Sequence, residues 1–172
     1  MDGIAWAGSA MVAARERLEI AADNLANVST DGFRGSDARG FLTAAGAEIA
    51  RTPVRAHGPL RHTGRASDLA IVGAGAFLVR DVRGAIVATR DGAFSRDSRG
   101  RLRDDAGRVL VGTRLARGSS VRSGFLEAAN VDAIGQMVSI LSAERSFESA
   151  EKVVTAIDQT RQKAASDVGK VS

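Results

Sequence analysis

The two histidines are the side chains of this 172-residue chain best suited to metal or acid–base chemistry. His57 and His62 lie five residues apart across Gly58 and Pro59, and such a loop could place two imidazoles on one ion. A metal site needs three or four supported ligands, and Asp68 is the nearby carboxylate. Without cysteine, disulfides, thiolate zinc sites and cysteine nucleophiles are excluded. We expect surface histidines, no metal and no cofactor; a metal-dependent hydrolase would require bound metal.

Two glycines after an apolar run imitate the start of a dinucleotide-binding fingerprint. Gly73-Ala74-Gly75 follows residues 69–72, and glycines at such a point let a phosphate approach a helix N-terminus. The third glycine position holds Leu78, and the next residues form another apolar run typical of a strand. The sequence therefore predicts a tight β turn. No glycine-flanked serine nucleophile is present either, so we expect neither an enzyme nor a small-molecule substrate.

Arginines and aspartates alternate between residues 96 and 108, where they could bind a phosphate backbone. Mixed signs at turns normally form a solvated face, and no aromatic residue interleaves to stack bases. The chain has 24 basic and 20 acidic residues, and its net charge of +4 falls short of a clustered basic stripe. We expect no nucleic-acid partner. A small monomeric β-rich binding module with a basic, arginine-lined surface stays open as an alternative. The charged residues are Arg96, Asp97, Arg99, Arg101, Arg103, Asp104, Asp105 and Arg108.

The elements that must position these residues are marked by the distribution of glycine and proline. Neither occurs in residues 9–31 or 136–168, whereas eleven glycines punctuate residues 58–124. This predicts an α+β fold, with long N- and C-terminal helices forming a coiled-coil-like pair and a small antiparallel β barrel or sandwich between them. No apolar run approaches the ~18 residues that span a bilayer. The predicted divisions are residues 1–34 (helix and turn), 35–124 (connector and β-rich domain) and 125–172 (C-terminal helix).

An unbroken three-four spacing of apolar residues predicts the N-terminal helix. The stripe consists of Ile4, Ala7, Met11, Ala14, Leu18, Ala21 and Leu25. It is the a/d pattern of a coiled-coil seam, but its three alanines remove little apolar area from water. Residues 27–32 are short, polar and end in glycine, so the helix should stop there and present Phe33 as an anchor. Asn24 and Asn27 either satisfy backbone groups at this helix end or reach a neighbour.

Two candidate N-caps, Asn130 and Asp132, precede the predicted C-terminal helix. Its stripe consists of Ile140, Ala143, Phe147, Ala150, Val154 and Ile157, and continues as Arg161, Ala164 and Val168. A second stripe widens the first half of the helix, which then has two surfaces to cover. A private helical hairpin within one monomer is the alternative, but the second stripe favours packing against neighbouring subunits. Residues 166–172 lose the pattern and should fray. The second stripe consists of Ile134, Met137, Val138 and Leu141.

Short apolar runs separated by glycine-rich turns predict six strands in the middle of the chain. Residues 35–59 have weak periodicity and hold both prolines, so we interpret them as an extended connector. The predicted strands lie within residues 68–73, 76–80, 85–89, 92–95, 100–103 and 107–112, with turns at 82–84, 97–99 and 104–106.

Several segments resemble the axial proteins of the bacterial flagellum, the rod and hook family. The segment from Asn24 to Phe33 is similar to that family's N-terminal signature. The segment from Gly124 to Asp132 is similar to the one that opens its C-terminal helix, and Arg145-Ser146-Phe147-Glu148 fits the helix itself. Residues 68–77 and 89–94 resemble the β unit that rod and hook members share.

The resemblance implies a structural subunit of the basal-body rod that assembles through its terminal helices into a tube. Members of this type usually carry a larger outer domain, whereas this chain passes from Gly112 to Gly124 in about a dozen residues. A typical hook protein is therefore not expected, and a proximal or distal rod member with a shortened outer domain is. No basic leader precedes a long apolar region, which agrees with the implied export by the flagellar type III apparatus.

The implied partners are further copies of the chain, neighbouring rod and hook proteins and the export apparatus. The implied location is the flagellar basal body, in the cell envelope and periplasmic space after export from the cytoplasm. Which rod component the chain represents stays open. The predicted subunit-interface residues are Ile4, Met11, Leu18, Asn24, Leu25, Asn27, Phe33, Asn130, Met137, Leu141, Phe147, Val154 and Ile157.

Overall fold

The computed structural model describes residues 3–44 and 46–168, in which two helices enclose eleven strands along the chain. Fraying was expected over residues 166–172, but residues 166–168 continue the C-terminal helix, and residues 169–172 lie outside the described residues. None of the described helices combines the length and apolar character that a bilayer span requires. The elements are α1 (Gly3–Ala26), β1 (Ser36–Thr43), β2 (Gly46–Pro53), β3 (Leu60–His62), β4 (Leu69–Val72), β5 (Gly75–Arg80), β6 (Ile86–Thr89), β7 (Ser95–Arg96), β8 (Leu102–Arg103), β9 (Val109–Leu115), β10 (Ser120–Ser123), β11 (Phe125–Glu127) and α2 (Ala133–Val168).

The chain divides into two compact units. The first, called here the helical unit, contains residues 3–25, 36–53 and 132–168. The second, the β unit, contains residues 26–35 and 54–131. The segment that follows α1 therefore belongs to the β unit, although the hairpin after it belongs to the helical unit.

Alanines are the buried members of the predicted stripes in the helical unit. Ala14 on α1 is 1% exposed and Ala143 on α2 is 3% exposed, and both line one shallow depression between the helices. Gly3 lies so near α2 that a Cβ added there would be 3.3 Å from Cδ1 of Ile157. Because the start of α1 meets a late part of α2, the two helices run antiparallel.

Residues 36–43 and 46–53 pair as two antiparallel strands, whereas the sequence predicted an extended connector over residues 35–59. Strands β1 and β2 pair from Ser36 opposite Pro53 to Thr43 opposite Gly46. The hairpin packs on α1, since Ile49 is buried against Ala13 and Ile20. Its burial supplies the helix with apolar contact that the alanine-rich stripe lacks.

The C-terminal helix begins as the sequence predicted. Oδ1 of Asp132 accepts a hydrogen bond of 3.1 Å from the backbone N–H of Ile134, and its carbonyl accepts one from Gln136. Asp132 is therefore the N-cap of α2. Asn130, the other candidate, is used elsewhere, as described below.

The β unit is built around an open antiparallel sheet of five strands in the order β6-β5-β9-β8-β7. Its core consists of Ile71, Phe77, Val79 and Phe94, with the two phenylalanine rings edge to face at 5.4 Å. Strands β4 and β10 form one further pair and β3 and β11 another. Of the expected barrel or sandwich, the barrel was wrong for the described strands: β6 and β7 are the edges of the five-stranded sheet, so its strands do not close.

Three turns of this sheet share one local structure, in which an aspartate carboxylate accepts hydrogen bonds from backbone N–H groups of the same turn. Oδ1 of Asp81 accepts from Arg83 and Ala85, and Oδ1 of Asp97 accepts from Arg99 and Arg101. The glycine of each turn has a positive φ between 76° and 87°. The turns predicted near residues 82–84, 97–99 and 104–106 are thus confirmed. The third turn is closed by Asp104, whose Oδ1 accepts from Arg108.

Candidate functional site

The first half of α2 carries an exposed apolar face. Its side chains are 52% to 74% exposed and lie at positions i, i+3, i+4 and i+7 of the helix. Full burial of such a side chain from water contributes roughly 1.5–3 kcal/mol, and the exposed part of each of these residues would supply a share of it. Among residues 3–44 and 46–168 no element covers this face, so it is a candidate assembly surface. The face consists of Ile134, Met137, Val138 and Leu141.

A groove of about 540 Å³ lies beside this face within the helical unit. Arg17 and Ile20 of α1 form one wall, and residues 36–39 of β1 form another. Small side chains of α2, including Ser139 and Ser142, line the third. Each of these serine hydroxyls donates to a carbonyl four residues earlier in its own helix, so its proton is used within that helix.

The other helical residues predicted at an interface are half-buried, except Phe147, which is exposed. Phe147 is 36% exposed and lies beside Leu18 along a depression between α1 and α2. Part of the surface of these larger stripe residues therefore remains available for contact with another molecule, whereas the alanines of the stripes up to Ala150 are buried. The half-buried residues are Ile4, Met11, Leu18, Leu25, Val154 and Ile157.

Asn24 is buried and uses its side chain within the chain. Its Nδ2 donates to the carbonyl of Ser36 at 2.8 Å and to Oε1 of Gln136 at 3.0 Å. Its Oδ1 accepts from the backbone N–H of Ser36 at 2.9 Å. These partners lie on β1 and α2 and not at the end of α1, so the expected role at the helix end is not the one observed, and a contact with another subunit stays a prediction.

Asn130 anchors the segment that follows α1 to the β unit. Its Oδ1 accepts from the backbone N–H of Gly35 at 2.7 Å, and its Nδ2 donates to the carbonyl of Ala56 at 2.7 Å. Its own backbone N–H donates to the carbonyl of Phe33, which is half-buried. Asn27, also half-buried, forms the turn after the helix, where its carbonyl accepts from Thr30.

A buried ion pair at the centre of the β unit was not foreseen from the sequence. Arg90 and Glu127 are 7% and 2% exposed, and Nε of Arg90 lies 2.7 Å from Oε2 of Glu127. Breaking such a pair normally costs about 3–5 kcal/mol. The one local signal was Glu127, which sits among apolar and small residues, whereas Arg90 lies between Thr89 and Asp91 and is 37 positions away in the sequence.

All five N–H groups of Arg90 have acceptors. Besides Glu127, the carbonyls of Gly73 and Gly75 accept from Nη1 at 2.9 and 3.1 Å. The carbonyl of Ile71 and Nδ1 of His57 accept from Nη2 at 2.9 and 3.0 Å. The glycine pair that imitates a phosphate-binding fingerprint thus forms the predicted turn, and its carbonyls hold an arginine.

The backbone of Gly32 lies directly on this centre. Its N–H donates to the carbonyl of Glu127 at 2.6 Å, and it has a φ of +70°. A Cβ added to Gly32 would collide with the backbone of Arg90 and Asp91. Glycine is therefore required here for both its conformation and its small size.

The two histidines occupy different surroundings. His57 bonds to arginines, whereas the His62 ring lies edge to face against Phe125 at 4.9 Å. Within the described ranges no three histidine, cysteine, aspartate or glutamate side chains converge as metal ligands.

Two aspartates of the β unit have shifted pKa values. Burial raises the pKa of Asp91 above its usual 3.8, assisted by the nearby charge of Asp31 and opposed by a hydrogen bond from the Ala93 N–H. Hydrogen bonds from Arg101 and Arg99 outweigh desolvation and lower the pKa of Asp97 to about 2. Asp97 is thereby held ionised as the acceptor that closes its turn.

Comparison with known proteins identifies matches at both ends of the chain. Residues 4–34 match the family described as flagella basal body rod protein. Residues 122–167 match the family described as flagellar basal body rod FlgEFG protein C-terminal. The matched regions contain α1 with the anchored segment, and β11 with α2.

Individual relatives include both hook and rod proteins. The flagellar hook protein FlgE of Brucella abortus is 31% identical over 80% of this chain and 37% of its own length. The flagellar basal-body rod protein FlgF of Mesorhizobium japonicum is 36% identical over 64% of this chain and 49% of its own length. The rod protein FlgG of Agrobacterium fabrum is 22% identical over 92% of this chain and 96% of its own length. The chain thus spans little more than a third of the matched Brucella hook protein.

Proposed function

Because this chain belongs to the family of flagellar basal-body rod and hook proteins, we propose that it is a structural subunit of the rod. Members of the family are located in the flagellar basal body. In this proposal the terminal helices assemble copies into a tube that transmits torque and encloses the export channel.

Two observations support a rod rather than a hook subunit. The alignment with the Agrobacterium rod protein covers 96% of that protein, compared with 37% for the Brucella hook protein. In addition, β9 passes to β10 through a short turn in which Ser119 N–H donates to the carbonyl of Ala116 at 3.1 Å. This turn leaves no place for an outer domain at that point of the chain.

The exposed apolar face of α2 is the observation that carries the proposal. A monomer would leave four large apolar side chains in water on one helix face, the most exposed being Ile134 at 74%. We propose that α1 and α2 form a coiled-coil-like pair through their buried alanines, while this face packs against neighbouring subunits. The half-buried Leu18 and the exposed Phe147 extend the same contact.

The partners follow from this mode of assembly. They are further copies of the chain and adjacent rod and hook proteins, and the chain reaches them through the flagellar type III export apparatus. The assembled subunit lies in the cell envelope, within the periplasmic space.

A charge placed on the α2 face tests the proposal. Leu141→Asp, and independently Leu18→Asp, should leave the β unit folded by circular dichroism but abolish incorporation into rods. Val82→Asp is the matched control, because Val82 is 90% exposed on a turn of the β unit. Electron microscopy of concentrated protein and complementation of motility measure the outcome. Normal incorporation of Leu141→Asp and Leu18→Asp would contradict assembly through the helices.

A monomeric binding module is the second candidate function. A depression of about 400 Å³ in the β unit is lined by Asp97, Ser98, Arg99, Arg101 and Arg103, and could receive an anionic ligand. Analytical ultracentrifugation over a range of concentrations separates the two functions. A module stays monomeric throughout, whereas the proposed subunit forms larger species as its concentration rises.

A further inference from the structure

A row of side chains on α2 changes from apolar to acidic along the helix. Ile134, Met137 and Leu141 of the exposed apolar face are spaced by three and four residues, and this spacing continues without a break into the second half of α2. The later members are exposed, and among the described residues none of their carboxylates forms an ion pair. These later members, called here the acidic row, are Glu144, Glu148, Glu151, Thr155 and Asp158.

The β unit carries an exposed guanidinium group that is already oriented. Cζ of Arg122 on β10 lies 4.2 Å from the centre of the Phe125 ring, in a cation–π contact. The Phe125 ring is in turn contacted edge to face by His62, its partner across strands β11 and β3, at 4.9 Å. These contacts hold the guanidinium plane against the surface of the β unit.

The N–H groups of Arg122 remain available for an acceptor. In the described part of the chain this guanidinium forms neither a hydrogen bond nor an ion pair, whereas Arg90 and Arg101 bind carboxylates of the same unit. A planar guanidinium group binds a carboxylate through two parallel hydrogen bonds. Because the ring contact already restricts its rotamers, Arg122 loses little side-chain entropy when a carboxylate binds.

The two units of the chain carry opposite net charge. The β unit contains 15 basic and 8 acidic residues, a formal charge of +7. The helical unit, over residues 3–25, 36–53 and 132–168, contains 8 basic and 11 acidic residues, a formal charge of −3. Like charge therefore disfavours contact between the β units of two copies, and opposite charge favours contact between a β unit and a helical unit. A second copy of this chain supplies the anionic surface that Arg122 lacks.

We propose that Arg122 of one copy binds the acidic row of α2 in a neighbouring copy. This contact rests on the proposed function, because it is a second place at which assembled subunits meet. The acidic row begins where the exposed apolar face ends, so one side of α2 supplies both apolar contact and an anionic anchor. Arg122 and the acidic row are different surfaces, so the contact is heterologous and repeats from copy to copy without closing into a dimer.

Charge reversal on each surface tests the contact in the whole chain. Arg122→Glu and, separately, Glu148→Arg/Glu151→Arg should each weaken self-association at least about tenfold at about 0.1 M salt, because attraction becomes repulsion. Analytical ultracentrifugation measures the association. An equimolar mixture of the two variants should regain wild-type association, since each variant then presents the charge that the other requires.

A matched variant separates the contact from a general effect of net charge. Arg55→Glu changes the charge of the β unit by the same amount as Arg122→Glu, at another exposed arginine that has no ion pair among the described residues. Arg55→Glu should associate like the wild type. Circular dichroism should show that all the variants are folded, because the substituted positions are exposed.

The possible outcomes distinguish this contact from the proposed function. Wild-type association in both charge-reversed variants would overturn the contact and leave assembly through the apolar face of α2 in place. A mixture that fails to regain association would also overturn it, since the two surfaces would then not bind each other. Loss of association in Arg122→Glu with none in Glu148→Arg/Glu151→Arg would overturn it as well, by showing that Arg122 binds a different anionic group. A wild-type chain that stays monomeric at every concentration would overturn both proposals.

Discussion

Nδ2 of Asn24 donates a hydrogen bond of 3.0 Å to Oε1 of Gln136, which links the last turn of α1 to the first turn of α2. The same amide group satisfies both backbone polar groups of Ser36, where β1 begins. One buried side chain thus joins all three parts of the helical unit.

Replacing Asn24 with leucine should lower the free energy of unfolding of the helical unit by about 1–3 kcal/mol, because buried polar groups would lose their partners. Urea denaturation followed by circular dichroism measures the change. Ser139→Ala is the control, since that hydroxyl bonds only to the Gly135 carbonyl among the described residues. Equal losses in the two variants would argue against a linking role for Asn24.

Arg90→Met should destabilise the β unit by about 3–5 kcal/mol, because Glu127 would remain buried without its charged partner. The double variant Arg90→Met/Glu127→Leu should lose less than the two single variants together, as a double-mutant cycle reveals. The exposed pair of Arg15 and Glu19 provides the control, and Arg15→Ala should change stability by less than about 0.5 kcal/mol. Additive effects at Arg90 and Glu127 would show that the two side chains are not coupled.

Asp91→Asn should stabilise the β unit at neutral pH, because burial raises the pKa of Asp91 and so disfavours its ionised form. A raised pKa means that the folded state binds the proton more tightly, so this group's stabilising contribution is present at acid pH and lost as pH rises through the folded pKa. The asparagine carbonyl can still accept from Ala93. Thermal unfolding at several pH values should show a gain near pH 7 that vanishes towards acid.

Asp97→Asn should have the opposite effect on the stability of the β unit at neutral pH. Its pKa of about 2 lies below the usual 3.8, so its contribution is present above pH 3.8 and lost as pH falls towards 2. The variant should therefore be less stable than the wild type at neutral pH and equal to it in strong acid. A gain in stability at neutral pH would be inconsistent with the closed turn.

Gly32→Ala and Gly84→Ala compare two glycines with positive φ, of +70° and +87°. Both variants place alanine in a left-handed conformation, at a cost of about 1–2 kcal/mol. Open space surrounds Gly84, whereas a Cβ at Gly32 meets the backbone of Arg90 and Asp91. Gly32→Ala should therefore lose at least about 1–3 kcal/mol more. Equal chemical-denaturation midpoints would contradict the close packing.

The regular elements were predictable because their signals are local. The three-four spacing located both helices, and the glycine-rich turns located β4, β5 and β6. The apolar stripes of the two helices also predicted that Ala14 and Ala143 belong to a seam. Sequence spacing alone did not show that the alanines would be the buried members and the larger residues the partly exposed ones.

The features that were missed depend on contacts between distant parts of the chain. The hairpin of β1 and β2 is positioned by Ile49 on α1 and by a hydrogen bond from Ala47 N–H to Ser9, so its own sequence carries little periodic signal. The Arg90–Glu127 pair and the acceptor role of His57 arise only when three separate segments meet. The open sheet likewise follows from strand pairing, which short apolar runs do not specify.

Most of the paired strands in the five-stranded sheet are neighbours along the chain, because a short aspartate-closed turn joins each pair. Strands β5 and β6 pair across one such turn, as do β7 and β8 across another and β8 and β9 across the third. Pairing over so few residues costs little loop-closure entropy, and low contact order favours rapid folding. A chain delivered in extended form would therefore regain these hairpins early, before the distant ends of the polypeptide have found each other.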